Sequence, residues 1–148
     1  MGRADRPRFP WSVPHLAVLV IKIGGSLTEF DPLLRDVAAC QESLVLVHGA
    51  NKELNELSAR LNHPPRMVTS ERGEISRFTD AITMDHFLMA YAGKQNKRIV
   101  ERLRALGASA VGLTAMDGGI AIGRHKPDLR IKEGNKVKLL HGDHSGSI

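Results

Sequence analysis

Residues 16–23 read LAVLVIKI and run straight into Gly24-Gly25-Ser26; further on, residues 43–47 read SLVLV and run into His48-Gly49-Ala50-Asn51. Both runs are continuously apolar rather than alternating, the pattern of parallel strands buried on both faces. Between them, Asp31 and Pro32 offer an N-cap carboxylate and a first-turn proline, and Leu33, Leu34, Val37 and Ala38 follow at helical spacing. After the second run, Leu54, Leu57 and Leu61 mark one face of another helix. Strand–helix–strand–helix is the signature of an α/β fold around a parallel sheet.

Working outward, residues 67–70 and 74–78 flank Arg72-Gly73 and predict a hairpin. Thr79 and Asp80 are placed to cap a helix over residues 81–91. Gly93 interrupts it, and residues 94–106 predict a second helix that buries Ile99, Val100, Leu103 and Leu106, with Gly107 just past its end. Residues 111–114 read as a further strand before a turn at Asp117-Gly118-Gly119. The tail reads as a small β-meander over residues 120–123, 129–132 and 136–140, turning at Gly134-Asn135. At the other end, residues 1–14 hold three prolines and three arginines and predict a flexible extension.

Composition narrows the classes. The chain has 148 residues, 42% hydrophobic and 25% charged, as in an ordinary globular domain. No apolar run approaches the roughly 18 residues of a membrane span, and the N-terminus lacks the pattern of a signal peptide. The single cysteine, Cys40, excludes an intramolecular disulfide and a cysteine-rich zinc site, and is expected on an apolar helix face. A soluble, cytoplasmic protein is expected. The net charge of +5 favours an acidic ligand or partner. Aromatic residues make up only 4%, too few for the base-stacking platforms of a nucleic-acid binder.

The chemistry concentrates at the strand ends, where open α/β sheets bind ligands. Gly24 and Gly25 allow close backbone approach to an anion, and Lys22 lies just before them on the strand. A lysine there is explained either by an anionic partner or by a snorkelling side chain beside an ordinary turn. Gly49 and Ala50 would add amide donors from the neighbouring strand end. Neither turn is a Walker or Rossmann loop. Arg66, Arg72 and Arg77 surround the predicted hairpin; they are solvated surface, or a carboxylate clamp if they converge. Asn96 and Lys97 read as capping or solvated helix positions. The histidines show no HxxxH spacing, and His141 with His144 is too little for a metal site, so no metal ligand is assigned.

Taken in order, VIKIGGSL, VHGAN, PPRMVTSERGEISRFTD, AGKQNKRIVERL and AVGLTAMDGG resemble the amino acid kinase family, and most of all its acetylglutamate kinase branch. Within it, HPPR, SRFTD and the ending GDHSGSI are similar to kinases whose substrate, α-aminoadipate or glutamate, is carried by LysW, a small acidic amino-group carrier protein. The resemblance implies a three-layer αβα sandwich with a mainly parallel sheet. Residues 15–148 would be its N-terminal, acceptor-binding half, with the C-terminal nucleotide half absent. It implies transfer of the γ-phosphate of ATP, with Mg²⁺, to a side-chain carboxylate, in lysine or arginine biosynthesis. By resemblance, Lys22 neutralises the transferring phosphoryl group, and Gly24 and Gly25 form the phosphate-binding loop. Gly49 and Ala50 match two glycines whose amides face phosphoryl group and substrate, Ala50 departing from the usual glycine. Arg66 matches the arginine that clamps the substrate's α-carboxylate. A homodimer through residues 51–62 and 79–106 is implied as well. The alternatives are an acetylglutamate kinase acting on free N-acetylglutamate, and a non-catalytic ligand-binding or regulatory domain of the same fold.

Overall fold

The computed structural model describes residues 18–27, 29–126, 128–134 and 136–148. The predicted extension over residues 1–14, and Asn135 of the predicted tail turn, lie outside them. Strand β1 (Leu19–Ile23) pairs in parallel with β2 (Leu44–His48), Leu19 opposite Leu44 and Ile23 opposite His48. Helix α1 (Asp31–Ala39) connects them, giving the expected α/β unit. Its cap shifts by one residue. Phe30 occupies the N-cap, and Asp31 and Pro32 fall within the first turn. Cys40 sits half-buried at the C-cap, just past the helix.

Strand alternation sorts the two apolar runs into two faces. Ile21, Ile23, Leu44 and Leu46 pack beneath Leu34 and Val37 of α1 and Ile99 and Leu103 of helix α4 (Asn96–Ala105). On the other face Val20, Val45 and Val47 are 66%, 50% and 48% exposed. The expectation that both strands are buried on both faces therefore holds for one face. Among the described residues no element covers the other.

Helix α2 (Asn51–Arg60) leaves β2 and buries Leu54 completely. It packs on α3 (Ala81–Phe87), where the Ser58 hydroxyl lies 3.0 Å from Nδ1 of the buried His86. The hairpin of β3 (Arg66–Thr69) and β4 (Ile75–Phe78) forms as predicted, with Gly73 at a φ of 88° in its turn. Asp80 caps α3 as expected, accepting a 2.8 Å bond from the Thr83 amide. Partial burial opposes ionisation of Asp80. The Thr83 amide and hydroxyl together with His63 outweigh it and hold the carboxyl below its ordinary range.

Gly93 does not break the helix. A π-helical segment (Leu88–Gln95) joins α3 to α4 without interruption. The reason is helical phase. Thr83, His86 and Ala90 are buried, and an unbroken 3.6-residue period from them would turn Lys97 and Glu101 inward. The wider turns rephase the helix so that Asn96, Ile99 and Leu103 are buried instead. Val100 is half-buried and Leu106 exposed, against the sequence pattern, while Gly107 ends the helix at a φ of 87°.

Residues 111–114 form no strand. They run beside α4, held by Lys97 Nζ donating 3.2 Å to the Gly112 carbonyl, with Val111 and Leu113 exposed. A strand needs a ladder neighbour, and these residues have none among the described ones. Asp117 lies in a single 3₁₀ turn (Asp117–Gly119), its carboxyl held low by bonds from the Thr114 amide and hydroxyl. The tail keeps part of the predicted meander, since the strands expected at 129–132 and 136–140 form and pair. Residues 120–123 are not a strand; β5 (Arg124–His125) pairs instead with β8 (Gly146–Ser147), and β6 (Asp128–Glu133) with β7 (Lys136–His141). Ile131 joins Val68 and Phe78 in a second small core. Asp143, 1% exposed, ties the tail to the start of α3 by accepting a bond from the Thr79 amide.

Candidate functional site

The parallel register sets Ile23 beside His48, so the turns after β1 and β2 must lie side by side. They touch through backbone alone. A Cβ on Gly25 would come within 2.8 Å of the amide nitrogens of Ala50 and Asn51, and one on Gly49 within 2.7 Å of the Gly25 Cα and N. Two hydrogen bonds stitch the turns together: the Gly49 amide to the Ile23 carbonyl at 3.0 Å, and the Lys52 amide to the Gly25 carbonyl at 3.1 Å. Gly24 differs, since a Cβ there would meet nothing within 4 Å. It faces open space at the mouth of the joined turns. Ala50 is buried and adopts a φ of −149°, where a Cβ is tolerated, so alanine leaves the turn intact in place of a glycine.

Helix α2 starts at this junction with no side chain capping it. The amides of Ala50 and Asn51 bond no carbonyl among the described residues, which leaves donors at the positive end of the helix dipole. A small cleft of about 40 Å³ opens here, lined by Gly25, Gly49, Ala50, Phe30, Glu53 and Gln95 among others. Glu53 would repel an anion, but Lys94 and Arg98 reach it from the long helix, Arg98 at 3.6 Å. The π-helical segment supplies further contacts. Tyr91 donates a 2.8 Å bond to Asn51 Oδ1, and Gln95 is 3% exposed against the cleft. Asn96 next to it is buried, near His48 and the Leu113 carbonyl at 3.4 Å each, and presses on Gly112. Asn96 is thus neither cap nor solvated residue. Sequence reasoning missed Tyr91 and Gln95 and misread Asn96, because polar residues on a helix read as surface; the segment AGKQNKRIVERL, taken whole, covers Gln95 and Asn96 but not Tyr91.

Lys22 lies on β1 opposite Val47, exposed on the uncovered face. Arg66 stands apart from the cleft, on β3, with its guanidinium 5.1 Å above the Phe78 ring. Arg77 is a structural tie: it donates a 2.6 Å bond to Asn55 of α2 and stacks 5.5 Å from the Phe87 ring. The arginines do not converge on the joined turns. Among the described residues no three His, Cys, Asp or Glu side chains cluster as metal ligands, and no helix is long and apolar enough to cross a membrane.

The arrangement leaves two amides unbonded at a helix start, which can chemically receive an anion's oxygens, with a lysine on the adjoining strand. Residues 17–144, which include both glycine turns, match the model of the amino acid kinase family. The chain belongs to the amino acid kinase family. As a member of it, the chain is 47% identical to the LysW-aminoadipate kinase of Deinococcus radiodurans, across 97% of its own length and 50% of that protein. It is 38% identical to the LysW-aminoadipate kinase of Thermus thermophilus, across 88% of its own length and 50% of that protein. With the LysW-aminoadipate/LysW-glutamate kinase of Saccharolobus islandicus it shares 32% identity, across 88% and 50%. This amino acid kinase chain therefore spans about half the length of the curated relatives it matches.

Proposed function

We propose that this chain is the acceptor-binding half of an ATP-dependent kinase that converts a side-chain carboxylate to an acyl phosphate, with LysW-carried aminoadipate or glutamate as the acceptor. The observation that carries the reading is the pair of abutting glycine turns at the uncapped start of α2, in a chain closely similar to LysW-aminoadipate kinases. ATP, when bound, supplies the phosphoryl group. A carboxylate is already ionised at neutral pH, so no general base is needed. The work left to the protein is to bring two anions together. The amides of Ala50 and Asn51, with the backbone of Gly24, Gly25 and Gly49, hold oxygens without adding side-chain bulk, and Lys22 adds a full positive charge. Arg66 takes the acceptor's α-carboxylate, as its planar fork suits a carboxylate. Mg²⁺ belongs to the same reading, although among the described residues no three His, Cys, Asp or Glu side chains cluster to hold it.

A basic tail supports an acidic carrier. Residues 124–141 hold six basic residues, Arg124, Lys126, Arg130, Lys132, Lys136 and Lys138, against two acidic ones, Asp128 and Glu133, with Arg130 also reaching Glu71 at 3.6 Å. Such a surface steers an acidic partner, with an attraction that salt weakens. Exposed Ile82, Leu88 and Met89 on the long helix support a homodimer, and a biosynthetic role fits a cytoplasmic protein.

The test is a chimera in which this chain replaces the matching half of the D. radiodurans kinase, with acyl phosphate trapped by hydroxylamine. Hydroxamate is expected with carrier-bound aminoadipate, less at high salt, and none from the 148-residue chain alone. Efficient reaction with free N-acetylglutamate and none with the carrier-bound substrate would replace this reading with an acetylglutamate kinase.

A further inference from the structure

Gln95 is buried, yet among the described residues no hydrogen bond involves its carboxamide. A glutamine held in the interior loses rotamer freedom and takes two N–H groups and an oxygen out of water, costs that an apolar side chain at the same place does not carry. The backbone makes the placement specific. In i→i+5 turns, residues five apart lie one turn from each other on the same side, so Gln95 follows the fully buried Ala90 inward. The same segment is fastened to the first turn of α2 by Tyr91 on Asn51 and by Lys94 on Glu53. Gln95 is thereby fixed in the wall of the cleft at the start of α2, beside Gly25, Gly49 and Ala50.

What gathers at that cleft is a set of donors. The Ala50 and Asn51 amides bond no carbonyl among the described residues, and the Gln95 amino group brings two more N–H groups. The carboxylate in the lining, Glu53, is already taken by Lys94 and Arg98. Leu27 and Phe30 supply an apolar side, next to which a hydrogen bond is stronger than in open water. The cleft measures about 40 Å³. A single water needs roughly 10–15 Å³, so about two or three oxygen-sized groups fit: the end of a ligand, not the whole of one. Donors without a free acceptor, in a space of that size, select a terminal oxyanion. We propose that Gln95 is a ligand-binding residue, whose amino group completes, with the Ala50 and Asn51 amides, an amide cradle for the oxygens of a carboxylate or phosphoryl group. The inference rests on the anion site of the proposed function and adds to it a side chain that selects by charge: a glutamate of the same shape would repel what the glutamine holds.

The test uses the full 148-residue chain with ¹⁵N in its glutamine side chains. Gln41 and Gln95 are its two glutamines. Gln41 is exposed and precedes β2, at the other end of the strands, so its signal is the internal reference. Titration with inorganic phosphate and, separately, with glutarate covers the two sources of oxyanion. At least one of them is expected to shift the Gln95 amide signals and leave those of Gln41 in place. A response to phosphate alone assigns the cradle to phosphoryl oxygens, and a response to glutarate alone assigns it to a carboxylate. Gln95→Met keeps the length and the burial without the amide. It should bind the responding anion about tenfold more weakly, a change of about 1.4 kcal/mol, while its urea midpoint stays level or rises, since a buried amide without a partner has been replaced by an apolar chain. Gln95→Glu should abolish binding. A glutamine with a purely structural role behaves differently, losing stability and binding together in the methionine variant. That result would overturn the proposal, as would a Gln95 signal unmoved by both anions, or a Gln95→Met chain that binds as tightly as the parent. None of these readouts requires turnover. Unchanged anion affinity in Gln95→Met, with hydroxamate formed by the chimera, would remove the role of Gln95 and leave the kinase reading standing; Gln95-dependent anion binding without hydroxamate would do the reverse.

Discussion

Replacing Gly25 by alanine tests whether the two turns really meet through their backbones. The added Cβ would lie 2.8 Å from two amide nitrogens and 3.0 Å from the Gly49 carbonyl carbon. All three are main-chain atoms, tied by the Gly49–Ile23 and Lys52–Gly25 hydrogen bonds, so no side chain can rotate away to make room. The turns must separate by several tenths of an ångström. Overpacking of this kind costs about 2 kcal/mol, which for a chain of this size lowers Tm by roughly 8 °C. Gly24→Ala is the internal control. Its Cβ meets nothing within 4 Å and its φ lies outside the left-handed region, so it should stay within about 0.5 kcal/mol of the parent. Thermal and urea unfolding of the two variants provide the comparison, with phosphate or pyrophosphate binding measured by calorimetry on each. Gly25→Ala should lose stability and anion binding together; Gly24→Ala should keep its stability. Equal stability of the two variants would show that the turns do not abut, and the amide cradle would fall with that result.

Gly112→Ala should also destabilise, because its Cβ would come within 1.9 Å of Asn96 Oδ1; Asn96→Ala should relieve the clash, so the double variant should be more stable than the sum of the singles allows, as read from urea midpoints in a double-mutant cycle. Asp80→Ala removes the α3 cap at a cost of about 1 kcal/mol. Because folding lowers the Asp80 pKa, its contribution is complete above the ordinary value of 3.8 and disappears as pH falls through the lower native value; unfolding curves of parent and variant should converge in acid. Leu54→Ala, at a fully buried position, should cost about 2–5 kcal/mol in denaturant unfolding. In the chimeric kinase, steady-state kinetics should show Lys22→Ala lowering kcat more than it raises KM, and Arg66→Ala chiefly raising the acceptor KM; an unchanged kcat for Lys22→Ala would favour the snorkelling lysine.

What could be read from the sequence was what local chemistry dictates. The two apolar runs, the glycine turns, the Arg72-Gly73 hairpin and the Asp80 cap all depend on near neighbours, and all formed. The features that escaped depend on distant partners. Residues 111–114 have strand composition but no ladder to join, and the composition of residues 16–23 could not show that Val20 would face outward while Ile21 faces α1. In the site, Gly25 and Gly49 were legible as turn residues. Their mutual contact follows only from the register that sets Ile23 beside His48. Gln95 and Asn96 were hidden because an apolar period on a helix says nothing about a buried amide. Arg66 and Arg77 looked alike in sequence; one stacks on Phe78 at the surface, whereas the other fastens the hairpin to α2.

The π-helical segment between α3 and α4 also sets how this region can change length. Its surplus residue is what allows one continuous helix to present Thr83 and His86 toward α2 and then Ile99 and Leu103 toward the sheet. Losing a single residue from Leu88–Gln95 would turn everything after it by about 100° relative to α3, moving charged Lys97 into the buried place of Asn96 and Arg104 into that of Leu103. A point deletion here is therefore not a local event, whereas one in the exposed turn around Arg72 changes only the loop. Insertions and deletions in related chains should collect in that turn and at the tail, and the helix from Ala81 to Ala105 should align without gaps even where side chains diverge.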